Sequence, residues 1–114
     1  LVSAIEAVVP GARGYNKINP ATKTFQAIRI AVNEELTNLE KALENGFAVL
    51  EPGGRFAIIS FHSLEDRIVK NFFRDRAKEG EAELITKKQI TQTEEEMKEN
   101  PRSRSAKLRI IKKI

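Results

Sequence analysis

The feature that most constrains the fold of this chain is the run LEPGGRFAIISFHSLEDR at residues 50–67. The PGG sequence at 52–54 predicts a tight turn, because glycine adopts positive φ angles at little cost and proline cannot continue a helix. Residues 56–59 are all apolar, which is typical of a strand that an α/β sheet covers on both faces. Residues 60–63 follow at the carboxyl end of this strand, the edge where open α/β sheets bind ligands. We therefore expect any functional site to lie there.

The composition excludes several kinds of site and is compatible with an RNA partner. The 114 residues include 20 Lys and Arg, 16 Asp and Glu, one His and no Cys, for a net charge of +4. Without Cys the chain has no disulfide or Cys-based zinc site, and one His excludes a multi-histidine metal centre, so we predict no metal. The lack of Cys agrees with a cytoplasmic location, and no apolar run approaches the roughly 18 residues of a membrane span. A small positive excess permits RNA binding without requiring it.

The chain begins with Leu-Val-Ser and has neither an initiator Met nor the basic and apolar pattern of a signal peptide. We interpret it as part of a longer protein.

The first half of the chain predicts helices. Residues 1–9 carry apolar positions at helical spacing, which indicates the end of a helix, and a basic loop follows over 11–18. Asn19 is suited to cap a second helix and Pro20 to occupy its first position. Apolar residues then recur at steps of three and four, which predicts one long amphipathic helix from residue 20 or 24 to 49. These residues are Phe25, Ile28, Val32, Leu36, Leu39, Leu43, Phe47 and Leu50.

The second half predicts alternating strands and helices. Strands are expected at 55–60, 83–87 and 107–114, with helices from residue 63 to about 79 and from within 91–96 to residue 100. The first two strands and the helix between them would form a right-handed parallel crossover.

Two local details accompany these elements. Ser63 is the expected N-cap of its helix, with Asp66 three residues later in a variant of the capping box. In the last strand, Leu108 and Ile110 would share one face and Arg109 would point outward.

Polar residues near the start of the long helix are candidates for contacts with an RNA backbone, because the free amide groups and dipole of a helix amino terminus attract phosphate. They are Thr22, Lys23, Thr24, Gln26 and Arg29, together with Lys17 in the preceding loop. The alternatives are that the loop is a solvated connector, that the threonines only cap the helix, and that Arg29 pairs with a Glu on a neighbouring turn.

A second set of candidates follows the strand at 55–60 and comprises Ser60, His62, Ser63 and Arg67. His62 is the candidate for contacting a substrate base or its phosphate, and so the candidate catalytic residue. A lone His after a strand is also commonly a structural hydrogen-bonding residue. The acidic residues at 65 and 66 either serve the helix dipole and pair with Arg67 or act directly.

The third set, Arg102, Arg104 and Lys107, is the strongest candidate for binding an RNA backbone. Arginine side chains match phosphate geometry, and the small serines beside them allow close approach. The alternative is a surface loop held by the acidic residues at 94–96.

Three blocks carry a resemblance to one family: NPATKTFQAIRIAVNEEL at 19–36, LEPGGRFAIISFHSLEDRIVKNFF at 50–73 and ENPRSRSAKLR at 99–109. The chain resembles the carboxyl-terminal part of the bacterial S-adenosylmethionine-dependent methyltransferases that modify the N4 amine of a cytidine in small-subunit ribosomal RNA. The resemblance covers nearly the whole chain.

This resemblance implies an α/β fold, namely part of a seven-stranded Rossmann-like methyltransferase sheet interrupted by a helical insertion. Residues 1–48 would complete the insertion and the long connecting helix, and residues 49–114 would supply the last three strands of the sheet. The strand at 107–113 would then lie antiparallel between those at 55–60 and 83–87.

The sequence departs from the family pattern at the cofactor site. In the family, S-adenosylmethionine is held by a Gly-rich loop after the first strand and an acidic residue at the end of the second, and neither is present here. The PGG turn does not replace them, because such a loop needs spaced glycines between a strand and a helix. We therefore expect S-adenosylmethionine to bind mainly outside this chain, and the chain alone to be inactive.

Two other functions remain open. The chain could be a non-catalytic, basic RNA-binding or assembly module. It could also be a protein-interaction piece, because the strand at 55–60 would keep one unpaired edge if the strands before it were absent. That edge would pair with the missing amino-terminal part of the same protein or with a second copy in a homo-oligomer.

Overall fold

The computed structural model describes residues 1–8 and 20–114, which divide into two units, residues 1–35 and 36–114. In the first unit, helix α1 (Val2–Val8) contacts helix α2 (Pro20–Asn33). Ile5 of α1 and Ala21 of α2 are buried. The predicted basic loop and the Asn19 cap lie outside the described residues.

The prediction of one long helix is wrong at residue 34. Helix α2 ends at Asn33 and helix α3 (Glu35–Val49) starts two residues later. Glu34 between them has a φ of +50°, a left-handed conformation that interrupts helical hydrogen bonding. The apolar spacing continues through this position, so periodicity alone could not reveal the break.

The second unit contains a mixed α/β arrangement built on a small sheet. Its further elements are strand β1 (Arg55–Ser60), helix α4 (Ser63–Lys78), strands β2 (Ala82–Leu84) and β3 (Ile90–Thr91), helix α5 (Glu94–Glu99), a 3₁₀ helix (Pro101–Ser105) and strand β4 (Lys107–Lys113). The strand order is β1-β4-β2, and β3 also pairs with β4. The predicted position of the last strand, antiparallel between the other two, is confirmed, and β1 and β2 therefore run parallel.

Strand β2 is shorter than predicted because the chain bends after Leu84. The amide groups of Ile85 and Thr86 both donate to the carbonyl oxygen of Ile110, at 3.1 and 3.2 Å. The Thr86 hydroxyl oxygen accepts from the Ile110 amide at 3.0 Å and so replaces a backbone partner. Ile85 and Thr86 thus both lie opposite Ile110, as in a β-bulge. Pairing with β4 resumes at β3, a short strand that the sequence did not predict.

The core of this unit lies on one face of the sheet. Helices α3 and α4 contribute Leu43, Phe47, Val69 and Phe73, and the strands contribute Ala82 and Ile111, which is fully buried. Phe56 and Ile58 of β1 pack against this cluster. Ala57 and Ile59 point to the other face, and Ile59 is 60% exposed. Within the described residues, β1 is therefore covered on one face, whereas the sequence predicted two.

Helix α3 approaches β1 closely at Gly46. A Cβ atom on this residue would lie 2.6 Å from Cζ of Phe56. The Phe56 ring has little freedom to move away, because it packs against the core and against Phe73 at a centroid distance of 6.2 Å. Glycine at this position thus permits the helix and the strand to pack together.

We predict that Gly46→Ala lowers the free energy of unfolding. Alanine is favoured over glycine in a helix by about 1 kcal/mol, but overpacking against the ring costs about 1–3 kcal/mol. Urea denaturation measures the balance. The matched control is Asn45→Ala, an exposed position in the same helix, which should leave stability unchanged or slightly raised. A Gly46→Ala variant more stable than the wild type would contradict the prediction.

Candidate nucleic-acid interface

Most of the predicted site residues of the second unit lie at one end of the sheet, where β1 finishes and β4 starts. Ser60 at the carboxyl end of β1 lies opposite Lys107 at the amino end of β4. The loop that enters α4 and the 3₁₀ helix that precedes β4 therefore adjoin the same edge. We call the polar residues at this edge the basic rim: Ser60, His62, Ser63, Arg67, Arg102, Arg104 and Lys107.

The loop between β1 and α4 places His62 as a helix cap. His62 is the N-cap residue, and its Nδ1 accepts a hydrogen bond from the Glu65 amide at 3.4 Å. The Glu65 carboxylate accepts in turn from the Phe61 amide at 2.9 Å. The prediction that Ser63 caps the helix is wrong, because Ser63 is already its first helical residue. The cap lies one residue earlier because an imidazole nitrogen can serve as the acceptor.

His62 therefore acts as a structural hydrogen-bonding residue, which was the alternative interpretation of this side chain. Because Nδ1 accepts a hydrogen bond, a neutral ring carries its proton on Nε2. That atom lies 3.3 Å from a Glu65 carboxylate oxygen, but the contact lacks hydrogen-bond geometry and Nε2 has no hydrogen-bond partner. The side chain is only 9% exposed. Contact between His62 and a base stays a prediction.

Behind the rim, Asp66 and Arg109 form a buried ion pair. Arg109 donates from Nε to one Asp66 oxygen at 2.7 Å and from Nη2 to the other at 2.9 Å. Nη2 also donates to the amide oxygen of Gln89 at 3.1 Å. The hydrogen bond from Arg109 holds the pKa of the Asp66 carboxyl below its ordinary value, against the opposing effect of burial.

The prediction that Arg109 points outward is therefore wrong. Leu108 and Ile110 do share a face, but Arg109 lies with Ile111 on the side that faces α4, and only 6% of it is exposed. A charged residue is tolerated there because its carboxylate partner has a two-point geometry. No local sequence signal links residues 66 and 109, since they are 43 positions apart.

The 3₁₀ helix before β4 is anchored through its backbone and its buried serine. Ser103 donates from its amide and its hydroxyl to the Asn100 carbonyl, at 3.0 and 2.8 Å. Gln92 donates from Nε2 to the Arg104 carbonyl at 2.5 Å. The anchored turn leaves the side chains of Arg102 and Arg104 exposed.

The proposed attachment of this turn to the acidic residues at 94–96 is not observed as an ion pair. In the described part of the chain, the guanidinium groups of Arg102 and Arg104 form no hydrogen bond or ion pair. Helix α5 contacts the turn, and its Thr93 cap accepts from the Glu96 amide at 3.1 Å, as predicted for a short capped helix. Both arginines are therefore available to an anionic ligand.

The candidates in the first unit lie on α2, except Lys17, which lies outside the described residues. Thr22 and Lys23 are exposed, Thr24 and Gln26 are half-buried, and Thr22, Phe25, Gln26 and Arg29 line a shallow depression of about 400 Å³. Arg29 pairs with Glu35, with 3.1 Å between Nε and Oε1. An ion pair with a nearby Glu was the alternative interpretation of Arg29, and the structure shows one.

The glycines of the PGG turn lie away from the loop between β1 and α4. The two residues that join β1 to α4 are Phe61 and His62, neither of them glycine. The PGG turn lies at the opposite end of β1, where the Gly53 amide donates to Lys113 at 2.7 Å and Gly54 accepts from Lys113 at 2.9 Å. These glycines hydrogen-bond to the end of β4 and lie at the end of the sheet opposite the basic rim.

The helices of the described residues also offer no membrane span, because none combines sufficient length with sufficient apolar character.

Comparison with known proteins identifies the family. The model of the MraW methylase family matches residues 1–114. The chain belongs to this family. Three relatives, each named ribosomal RNA small subunit methyltransferase H, come from Persephonella marina (53% identity over 114 residues), Rhodopirellula baltica (53% over 114) and Heliobacterium mobile (50% over 129). The alignments cover 100% of this chain but 39%, 34% and 41% of these relatives. The chain thus spans about two-fifths or less of their length.

The Asp66–Arg109 pair predicts a specific dependence of stability on acid. A carboxyl whose pKa is lowered by folding stabilises the fold above its ordinary pKa, about 4, and that contribution is lost as the pH falls through the lower folded-state value. Asp66→Asn should therefore lower the free energy of unfolding at neutral pH, by about 1–3 kcal/mol, and flatten the loss of stability below about pH 4.

Urea denaturation between pH 2 and 7 measures this effect. The control is Asp75→Asn, since Asp75 forms an exposed ion pair with Arg74 and its loss should change stability little. An Asp66→Asn variant with the wild-type acid profile would show that this ion pair does not contribute.

Proposed function

We propose that this chain is the carboxyl-terminal, RNA-facing part of an S-adenosylmethionine-dependent methyltransferase that methylates N4 of a cytidine in small-subunit ribosomal RNA. The observation that carries the proposal is the match of residues 1–114 to the MraW methylase family. A ribosomal RNA substrate supports a cytoplasmic location. The division of the chain at residue 48, between a helical insertion and a Rossmann-like sheet, belongs to the same proposal.

The basic rim supports a role in binding the RNA backbone. Arg102 and Arg104 are exposed and free of ion pairs in the described residues, and their turn is held in place by Ser103 and Gln92. The ordered backbone limits the entropy lost on binding, and each planar guanidinium group can make a two-point contact with phosphate. Lys107, at the amino end of β4, is half-buried beside this turn, whereas Ser60 opposite it on β1 is only 3% exposed.

The reaction explains why such a surface is needed. The exocyclic amine of cytosine is a weak nucleophile, because its lone pair is delocalised into the ring. The enzyme must therefore unstack the nucleotide and hold the amine in a reactive orientation, which requires firm contacts to the flanking backbone. In this proposal residues of the basic rim hold the RNA, and His62 is a candidate for contacting the target nucleotide.

Residues outside this chain supply the main S-adenosylmethionine site in this proposal, so the chain alone is inactive. Two observations support the division. The glycine turn lies at the wrong end of β1 for a cofactor cradle. In addition, β1 pairs on one side only within the described residues, with β4, and Ile59 beside that edge is exposed. An amino-terminal segment of the same protein fits this edge; pairing with a second copy is the alternative.

The second candidate function is a non-catalytic RNA-binding or assembly module. It is favoured by the exposed guanidinium groups of Arg102 and Arg104, which form no ion pair in the described residues. Methyl transfer by the complete gene product, measured with labelled S-adenosylmethionine and ribosomal RNA, separates the two functions.

We predict that residues 1–114 alone do not bind S-adenosylmethionine, whereas the complete gene product does. Isothermal titration calorimetry on both proteins tests this, and circular dichroism establishes that the shorter one is folded. Saturable micromolar binding by residues 1–114 would refute the proposed location of the cofactor site.

We also predict that Arg102→Ala with Arg104→Ala weakens RNA binding by the complete gene product. The loss of two phosphate contacts should reduce the slope of log affinity against log salt by about 1.5. Fluorescence anisotropy with a labelled fragment of small-subunit ribosomal RNA measures both quantities.

The matched control for this variant is Arg74→Ala with Lys78→Ala. It removes the same charge from the carboxyl-terminal part of α4, far along that helix from the rim. An unchanged salt slope in the Arg102 and Arg104 variant would remove these residues from the interface.

A further inference from the structure

The Asp66–Arg109–Gln89 network joins three segments of the second unit. Asp66 lies in the first turn of α4, Arg109 lies in β4, and Gln89 lies just before β3. Arg109 forms all the connections: two hydrogen bonds to the Asp66 carboxylate and one to the Gln89 amide oxygen. Arg109 thus ties the first turn of α4 to β4, in addition to the apolar cluster that contains Val69, Phe73 and Ile111.

This network lies directly behind the basic rim. Asp66 follows the cap residue His62 by one helical turn, and Arg109 follows Lys107 by two positions along β4. The loop after β1 and the turn before β4 carry the two halves of the rim. Their relative position therefore depends on how α4 is seated against β4.

The buried pair is unsuited to binding RNA itself. Asp66 is 8% and Arg109 is 6% exposed, and each satisfies the charge of the other. Such a pair releases no counterions when RNA binds, and its replacement by apolar residues of similar volume is often neutral for stability. Any effect of the pair on RNA affinity must therefore act through the placement of other residues.

We infer that Asp66 and Arg109 are positioning residues that hold the two halves of the basic rim at the spacing needed to contact the RNA backbone simultaneously. This inference rests on the proposed function. Arg109, on the core-facing side of β4, would then contribute to substrate recognition together with the exposed arginines of the rim.

The test uses the complete gene product with Asp66→Leu and Arg109→Met together. This double change removes one positive and one negative charge, so the net charge stays constant. The expected result is a folded protein whose affinity for the labelled ribosomal RNA fragment falls about tenfold. The slope of log affinity against log salt should also fall by about 1, because fewer phosphates are contacted at once.

The matched control is Arg74→Gln with Asp75→Asn, which also removes an ion pair without changing the net charge. That pair is exposed, with 3.3 Å between Nη2 and Oδ1, and lies in the second half of α4. Its affinity and salt slope should equal those of the wild type.

Wild-type affinity and salt slope in the folded Asp66 and Arg109 double variant would overturn the inference. If thermal unfolding shows that this variant does not fold, Arg109→Lys replaces it, since Lys keeps the charge but loses the two-point geometry. Arg109→Lys should bind RNA at least threefold more weakly with a flatter slope, and wild-type values would again overturn the inference. If the wild-type protein itself shows no salt-dependent RNA binding, the proposed function fails and this inference fails with it.

Discussion

Antiparallel pairing with β4 is the interaction on which the larger unit depends. In the described residues, β1, β2 and β3 each pair with this strand, and its Ile111 is fully buried against the helices. Because β4 is the last strand of the chain, the sheet forms through contacts between residues far apart in sequence, such as Arg55 and Lys112. These long-range contacts carry a high loop-closure cost, which the apolar core must offset.

The direction of β4 also determines where a functional surface can form. An antiparallel partner places its amino end beside the carboxyl end of β1, so the NPRSRSA turn and the SFHS loop lie at one edge. A parallel partner would have placed them at opposite ends. The ion pair between Asp66 and Arg109 then connects the same two segments from inside the fold.

The other face of the sheet has a different character. Ile59 is largely exposed, and the groove beside it is also lined by Ile90 and Leu108. A strand apolar on both faces and covered on one agrees with a chain that spans about two-fifths of its relatives' length. It supports the proposal that other residues of the same protein complete the sheet.

The sequence alone was sufficient for several local features. The apolar run after PGG predicted β1, the change to 3.6-residue periodicity predicted α4, and the polar run at 91–96 predicted that a short capped helix, α5, begins there. These features depend on neighbours within a few positions, where side-chain pattern and capping chemistry decide the outcome. The order of the strands came from resemblance to a family, and the structure confirmed it.

Only the tertiary structure decided which residues share the interior and which caps form. It placed Arg109 inside the fold, because a carboxylate 43 residues away neutralises it, and it ended β2 early, because the Thr86 hydroxyl takes a backbone partner. It also broke the long helix at Glu34 and made His62, not Ser63, the cap of α4. Local pattern determines which segments form helices and strands, whereas the partners of polar groups depend on contacts that exist only once the chain has folded.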